Sequence, residues 1–196
     1  MFRIVVFLGC AALAWIAYDT YGYRLILNQI HQNADPKMTM GKRNASINIV
    51  AYIDYDSAET RQLFPSLLKI LSNNPNTKLI LRPIPTDTQT SKLAARIALA
   101  SKQHNKFLDV SSLFLSSNAN FDERYIELAV NSVGLNYNSI KATALSADIE
   151  KQLFDYQTEA KILSVTKTPY LFVGPVRMTQ GSYSTAEIQK IIDSIK

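Results

Sequence analysis

The stretch "VAYIDYDSAETRQLFP", residues 50–65, contains the junction between a strand and a helix. The strand belongs to the apolar, β-branched run "INIVAYI" at residues 47–53, which is typical of a strand buried on both faces. A helix is then expected from Asp56 to about Asn73, because leucine and isoleucine recur there at helical spacing. A buried strand that leads directly into a helix indicates an α/β fold.

The rest of the chain extends this pattern. A second strand is predicted at residues 77–84, and the sequence between 91 and 162 is helical in character. A hairpin around Gly174-Pro175 is predicted next, followed by a helix that begins at Ser184 with a capping box to Glu187. Strand, helix, strand, a helical block, hairpin and helix together give the thioredoxin arrangement with an inserted helical lid.

Four segments of the chain resemble the DsbA family of exported thioredoxin-fold oxidoreductases over roughly residues 47–195. They are "VAYIDYDSAETRQLFP", "LILRPIP", "SKLAARIALASKQHNKF" and "AKILSVTKTPYLFVG". The resemblance implies a domain at residues 46–196, a helical insertion at about 88–162, and a cis-proline at Pro169 preceded by Thr168.

The resemblance also places the active site at the start of the first helix, where the family usually carries Phe/Tyr-x-Asp-Tyr-x-Cys-x-x-Cys. Here the four positions are Ser57, Ala58, Glu59 and Thr60. Family chemistry depends on a thiolate at the helix start, and a serine hydroxyl is not appreciably ionised near neutral pH. The sequence therefore predicts a degenerate site without disulfide exchange, in a protein that is not an enzyme.

Two interpretations of the altered site remain open. In the first, Asp56 is the N-cap and Glu59 completes a capping box, so the old site is an ordinary helix start. In the second, Ser57 donates a hydrogen bond to the thiolate of glutathione. Kappa-class glutathione transferases, which resemble this fold, carry a serine with that role at the first active-site position.

The peptide-binding half of the site does not require sulfur. In the family, a client segment lies beside the cis-proline loop and pairs with the residue before the proline, which is a form of strand addition. Thr168 and Pro169 would supply that edge, with Ser57 and Thr60 on the floor of the groove. The alternative is that Pro169 serves only the turn.

Composition limits the function classes. The net charge is +5, but residues 1–45 hold five basic and two acidic residues, so the folded domain has no basic excess typical of nucleic-acid binders. Cys10 is the only cysteine, which excludes an intramolecular disulfide. His31 and His104 have no nearby ligand partners in sequence, so neither a metal nor another cofactor is expected.

Residues 4–18 contain no charge and follow Arg3 closely. With their flanks they approach the roughly 20 residues that a membrane span needs. We expect a retained anchor at residues 1–30 and a linker at 31–45. A cleaved signal peptide and a lipoprotein modified at Cys10 are the alternatives.

These features predict a single-pass protein of a bacterial inner membrane with its domain in the periplasm. Its function would be protein binding, as an accessory subunit of a secretion or conjugation assembly or as a holdase chaperone for exported chains. Tyr183, beside Gly181 on a predicted turn, is expected to be exposed. Four aromatic residues of the helical block are instead expected in the core: Phe107, Phe114, Tyr125 and Phe154.

Overall fold

The protein is described here by a computed structural model covering residues 22–118, 121–178 and 183–196. The chain divides into two compact units, residues 1–33 and 34–196. Residues 22–32 of the first unit are helical and form α1. Within the described ranges, no helix is both long enough and apolar enough to cross a membrane. Most of the predicted anchor, residues 1–21, lies outside them.

The second unit has a five-stranded sheet and a block of helices. A short 3₁₀ helix at Pro36–Met38 precedes the first strand, and another at Lys102–His104 follows α3. The strands are β1 (Thr39–Gly41), β2 (Ile47–Ile53), β3 (Thr77–Pro83), β4 (Tyr170–Val173) and β5 (Val176–Arg177). The helices are α2 (Ala58–Asn73), α3 (Gln89–Ser101), α4 (Phe107–Leu115), α5 (Glu123–Ser132), α6 (Tyr137–Thr143), α7 (Ala147–Ile162) and α8 (Thr185–Ser194).

The strands lie in the order β1-β3-β2-β4-β5. β2 and β3 are parallel and joined through α2, whereas β4 pairs antiparallel with both β2 and β5. The predicted succession of a βαβ unit, a helical block and a ββα unit is therefore confirmed. The carboxyl end of β2 leads to the start of α2, and β4 lies beside β2, so the two predicted halves of the site meet there.

Every residue of β2 is buried, which explains its continuous apolar sequence. One face, with Ile49 and Ala51, belongs to the main core together with α2 and α8. On the other face, the hydroxyl of Tyr52 donates a hydrogen bond to Glu159 of α7. Arg82 of β3 pairs with the same carboxylate at 3.1 Å. This partly buried polar cluster joins the sheet to the helical block.

The segment expected to be a linker is partly structured. β1 lies within it and pairs antiparallel with β3, with Gly41 opposite Lys78. Met38, immediately before β1, is fully buried, and its sulfur accepts a hydrogen bond from the hydroxyl of Tyr156 at 3.3 Å. Because the neighbouring residues are polar, the sequence does not indicate the pairing of β1 or the burial of Met38. These two contacts show that residues 34–45 belong to the compact unit.

The aromatic residues of the helical block only partly follow the prediction. Phe107 and Phe114 are fully buried and Tyr125 is half-buried, whereas Phe154 is 66% exposed. The buried residues of α7 are Ile149, Leu153, Tyr156 and Ala160, spaced to form one stripe. Phe154 follows Leu153 and so lies about 100° around the helix, outside that stripe. The expectation that Phe154 is a core residue was wrong.

Candidate functional site: a groove between α2 and the cis-proline loop

The N-cap of helix α2 lies one residue later than expected. Ser57 is its N-cap, and the Ser57 hydroxyl accepts a hydrogen bond from the backbone N–H of Thr60 at 3.2 Å. A tight turn precedes the cap, because the N–H of Ser57 donates to the carbonyl of Asp54 at 3.2 Å. This turn moves the helix start past Asp56.

The prediction of Asp56 as N-cap was therefore wrong. The carboxylate of Asp56 instead accepts a hydrogen bond from the hydroxyl of Thr88 at 2.9 Å. Glu59 is near the cap but has a different partner, since its carboxylate accepts a hydrogen bond from the Ser57 hydroxyl at 3.0 Å. The backbone N–H of Glu59 and the Ser57 hydroxyl together lower the pKa of Glu59, which keeps a negative charge at the helix start.

Thr60 does not line the groove floor as expected. Its side chain points into the interior, where the residue is only 2% exposed. The Thr60 hydroxyl oxygen forms no hydrogen bond with any of the described residues. Of the two positions that carry cysteine in the DsbA pattern, Ser57 is therefore accessible and Thr60 is not.

Asp54 supports the loops on both sides of the helix start. It is 3% exposed, and one carboxylate oxygen accepts hydrogen bonds from the Ser91 hydroxyl at 2.7 Å and the Asp56 N–H at 3.0 Å. The other oxygen accepts from the hydroxyl of Thr86 at 2.9 Å. These bonds hold the loop after β3 against the loop before α2. An acidic residue directly after an apolar strand could have indicated this supporting role in the sequence, but Asp54 was not predicted as a site residue.

The peptide bond between Thr168 and Pro169 is cis, the geometry that the resemblance implied for this loop. Pro169 is buried, and its carbonyl accepts a hydrogen bond from the hydroxyl of Tyr183 at 3.0 Å. Burial raises the pKa of Tyr183 to about 12, so the hydroxyl remains a donor near neutral pH. Tyr183 is half-buried against the loop, which corrects the expectation that it is exposed.

Thr168 differs from its neighbour in having free backbone groups. Neither its N–H nor its C=O forms a hydrogen bond with a residue in the described part of the chain. Thr168 is half-buried and lies just before β4, at the side of the sheet that faces the α2 start. An unpaired backbone N–H and C=O at this position can pair with an added extended segment.

Two cavities flank this loop. The larger, about 740 Å³, lies on the side of the helical block, and the smaller, about 390 Å³, lies toward Pro169 and Tyr183. Both are lined by Glu59, Lys167 and Thr168, so they form the two sides of one groove. Lys167 faces Glu59 and contributes to lowering its pKa. Among the described residues, no group of three or more His, Cys, Asp and Glu side chains could hold a metal ion.

Comparison with known proteins places the chain among thioredoxin-fold proteins. A family model described as thioredoxin matches residues 33–194. No curated protein matches the chain in sequence.

Three similar solved structures come from different bacteria. A thioredoxin-like oxidoreductase from Silicibacter pomeroyi DSS-3 is 20% identical with a TM-score of 0.78, covering 85% of this chain and 96% of its own. The thiol-disulfide exchange protein alpha-DsbA2 from Wolbachia pipientis is 20% identical with a TM-score of 0.76, covering 92% and 98%. A periplasmic thioredoxin-like protein from Salmonella enterica serovar Typhimurium is 22% identical with a TM-score of 0.74, covering 87% and 95%.

These similarities overturn the expectation that the chain is not an enzyme. The resemblance to DsbA-like proteins is confirmed at the level of the fold, and proteins of this fold include an oxidoreductase and a thiol-disulfide exchange protein. The missing cysteines restrict the chemistry without excluding catalysis. Because Ser57 and Thr60 carry hydroxyls, a thiol–disulfide exchange in this groove would need bound molecules to supply both the thiol and the disulfide that it reduces.

Proposed function

The chain belongs to the thioredoxin family, and on that premise we propose that it binds an extended segment of a partner protein in the groove beside Thr168. The observation that carries the proposal is the free backbone N–H and C=O of Thr168 between two cavities. In this arrangement the segment runs alongside the cis-proline loop and pairs with Thr168, ahead of the start of β4, whose own edges are taken by β2 and β5.

The two cavities would receive side chains from opposite faces of the bound segment. Successive side chains of an extended chain point to opposite sides, so neighbouring residues would enter different cavities. The backbone hydrogen bonds to Thr168 would provide affinity for many sequences, and the cavities would provide selectivity. Tyr183 supports this function indirectly, because its hydrogen bond occupies the carbonyl of Pro169 and leaves Thr168 as the pairing residue.

The proposed cellular setting follows from the sequence and from one similar protein. Residues 1–30 would anchor the chain in a bacterial inner membrane, with the domain in the periplasm, where the Salmonella thioredoxin-like protein occurs. A fixed anchor favours a fixed partner, so we propose an accessory subunit of an envelope secretion or conjugation assembly. A holdase for exported chains would use the same groove. The number of bound partners distinguishes the two roles, because a holdase binds many proteins and an accessory subunit binds one or a few.

The glutathione hypothesis is disfavoured by the contacts of Ser57. Its hydroxyl donates to the carboxylate of Glu59, which occupies the direction that a glutathione thiolate would need. Glu59 is also held in its charged form, so it repels an anionic sulfur.

A photo-crosslinking experiment tests the proposal. The full-length chain, purified in mild detergent from the producing cells, carries a photo-crosslinking amino acid at Lys167 or Gln62, both at the groove. Lys190, an exposed residue of α8 outside both cavities, is the control position. Crosslinked proteins are then identified and quantified by mass spectrometry.

One or a few stoichiometric envelope proteins at the groove positions would support the accessory-subunit role. Many exported proteins in small amounts would support the holdase. Crosslinks no stronger than at Lys190 would refute groove binding altogether.

A further inference from the structure

A small cavity lies at β1, an outer strand of the sheet that is separated from β4 and the groove by β3 and β2. It measures about 60 Å³ and is lined by Ala34, Pro36, Thr39, Gly41, Arg43 and Lys78. A cavity that holds one water molecule needs about 10–15 Å³ of such volume, so this one admits a group of several non-hydrogen atoms and excludes a peptide.

The strand register explains why two cations reach this cavity. Gly41 pairs with Lys78 and Thr39 pairs with Ile80, so Gly41, Thr39 and Lys78 share one face of the sheet. Gly41 has a φ of +99°, and a Cβ atom there would lie 2.7 Å from the carbonyl oxygen of Thr77. Only glycine allows β1 to end this close to β3, and the chain then turns so that Arg43 lines the same cavity.

The positive charge of this cavity is not neutralised. Neither Arg43 nor Lys78 forms an ion pair with a carboxylate in the described part of the chain. Lys78 donates one hydrogen bond, to the carbonyl of Arg43 at 3.2 Å, and retains its other donors. The nearby acid, Asp35, pairs with Lys102 at 3.4 Å and accepts the N–H of Lys37 at 2.9 Å.

We propose that this cavity binds a phosphate group, held by the Arg43 guanidinium and the Lys78 ammonium. A guanidinium binds phosphate oxygens through two parallel hydrogen bonds, and an ammonium adds a point charge. Two sources supply this chemistry, namely an anionic phospholipid headgroup and a soluble phosphate. The predicted anchor ends shortly before Ala34 in the sequence, so the headgroup is the source we expect. This inference is independent of the groove at Thr168.

The test uses the isotope-labelled full-length chain in a neutral detergent. It is titrated separately with inorganic phosphate, short-chain phosphatidylglycerol and short-chain phosphatidylcholine. The readout is the NMR shift of the Gly41 amide and the Arg43 side-chain N–H, which reports binding at the cavity itself. We expect saturable shifts with phosphatidylglycerol and weaker ones with phosphatidylcholine, and a loss of affinity as salt is raised.

Three variants localise the effect. Arg43→Gln and Lys78→Gln are each expected to lower the affinity by roughly tenfold. Lys190→Gln removes the same charge from an exposed residue of α8 and is expected to leave it unchanged. Unfolding midpoints of all three are measured so that a folding defect is recognised.

Each outcome of the titrations decides the proposal. Phosphatidylglycerol binding tighter than that of inorganic phosphate assigns the site to a lipid headgroup. Equal binding of the two supports a phosphate site with a soluble ligand. No saturable shift with either, lipid binding that Arg43→Gln and Lys78→Gln leave unchanged, or an equal loss in Lys190→Gln would overturn the proposal.

Discussion

The hydroxyl of Ser57 accepts a hydrogen bond from the backbone N–H of Thr60 at 3.2 Å. The bond joins the two positions at which the DsbA pattern has cysteine, so a noncovalent contact closes the turn that a disulfide would otherwise close. The oxygen that replaces the outer sulfur has become the N-cap of α2.

Replacing Ser57 by alanine should destabilise the protein by about 1 kcal/mol, because the N–H of Thr60 loses its capping acceptor. Ser57→Asp should retain most of the stability, since aspartate also caps helices. Asp56→Ala should cost less than about 0.5 kcal/mol, because the Asp56 side chain accepts its hydrogen bond from the hydroxyl of an exposed threonine. Urea unfolding of the three variants measures these differences. An Asp56→Ala cost larger than that of Ser57→Ala would contradict the assignment of Ser57 as the cap.

Replacing Asp54 by alanine should cost about 2–3 kcal/mol, since its buried carboxylate accepts hydrogen bonds from Ser91, Thr86 and Asp56. The loss leaves several donors unpaired in the loops that shape the groove. Thermal unfolding measures the cost, and hydrogen exchange of the Thr86 and Asp56 amides shows whether these loops loosen. Asp87→Ala, at an exposed position of the same loop, is the control. Similar costs for both variants would argue against a supporting role of Asp54.

The pair between Arg82 and Glu159 should show non-additive stability effects. Arg82→Met leaves the Glu159 carboxylate partly buried without its cation and should cost about 3 kcal/mol. The double variant Arg82→Met/Glu159→Met removes both charges and should cost less than the single one. Urea unfolding of the two single variants and the double variant forms the cycle. Additive costs would mean that the two charges act separately.

The depressed pKa of Glu59 predicts how its contribution to stability depends on pH. Because its folded pKa lies below the ordinary value of 4.5, the stabilisation is complete above that value and is lost as pH falls through the folded pKa. Glu59→Gln should therefore flatten the decline of stability between pH of about 5 and about 3, by a small amount because the side chain is exposed. Urea unfolding across this range measures it. Parallel curves for the variant and the wild type would refute the expectation.

Gly41→Ala should destabilise the protein by more than about 1 kcal/mol, because the new methyl group combines a positive φ with a contact 2.7 Å from the Thr77 carbonyl. Gly134→Ala is the matched control, since Gly134 also has a positive φ but nothing lies within 4 Å of the place that a Cβ atom would take there. The difference between the two unfolding free energies isolates the contact with β3. Equal costs would indicate that β1 moves away without penalty.

The central elements could be predicted well because consecutive residues carry the signal for each of them. β2 is apolar throughout and α8 carries its capping box from Ser184 to Glu187, and both occur where expected. β1 was missed because three residues between polar neighbours give no periodicity, and its pairing with β3 depends on the tertiary structure. A long apolar run needs no partner to be recognised, whereas a short edge strand does.

The site was predictable in position and less so in detail. The cis geometry at Thr168–Pro169 occurs where the motif placed it. The N-cap moved from Asp56 to Ser57 because the preceding turn through Asp54 is set by hydrogen bonds to distant loops. The hydroxyl of Tyr183 donates to the carbonyl of Pro169, 14 residues away in the chain, and no local sequence pattern predicts that hydrogen bond.

The two outer strands of the sheet are very short. β1 has three residues and β5 has two, while β2 and β3 have seven each and lie inside. A sheet grows into aggregates through long unpaired outer strands, and these borders present few backbone groups to a second molecule. We therefore expect little tendency to polymerise through these outer strands, and in the proposed function Thr168 would give an incoming chain a pairing site of single-residue length.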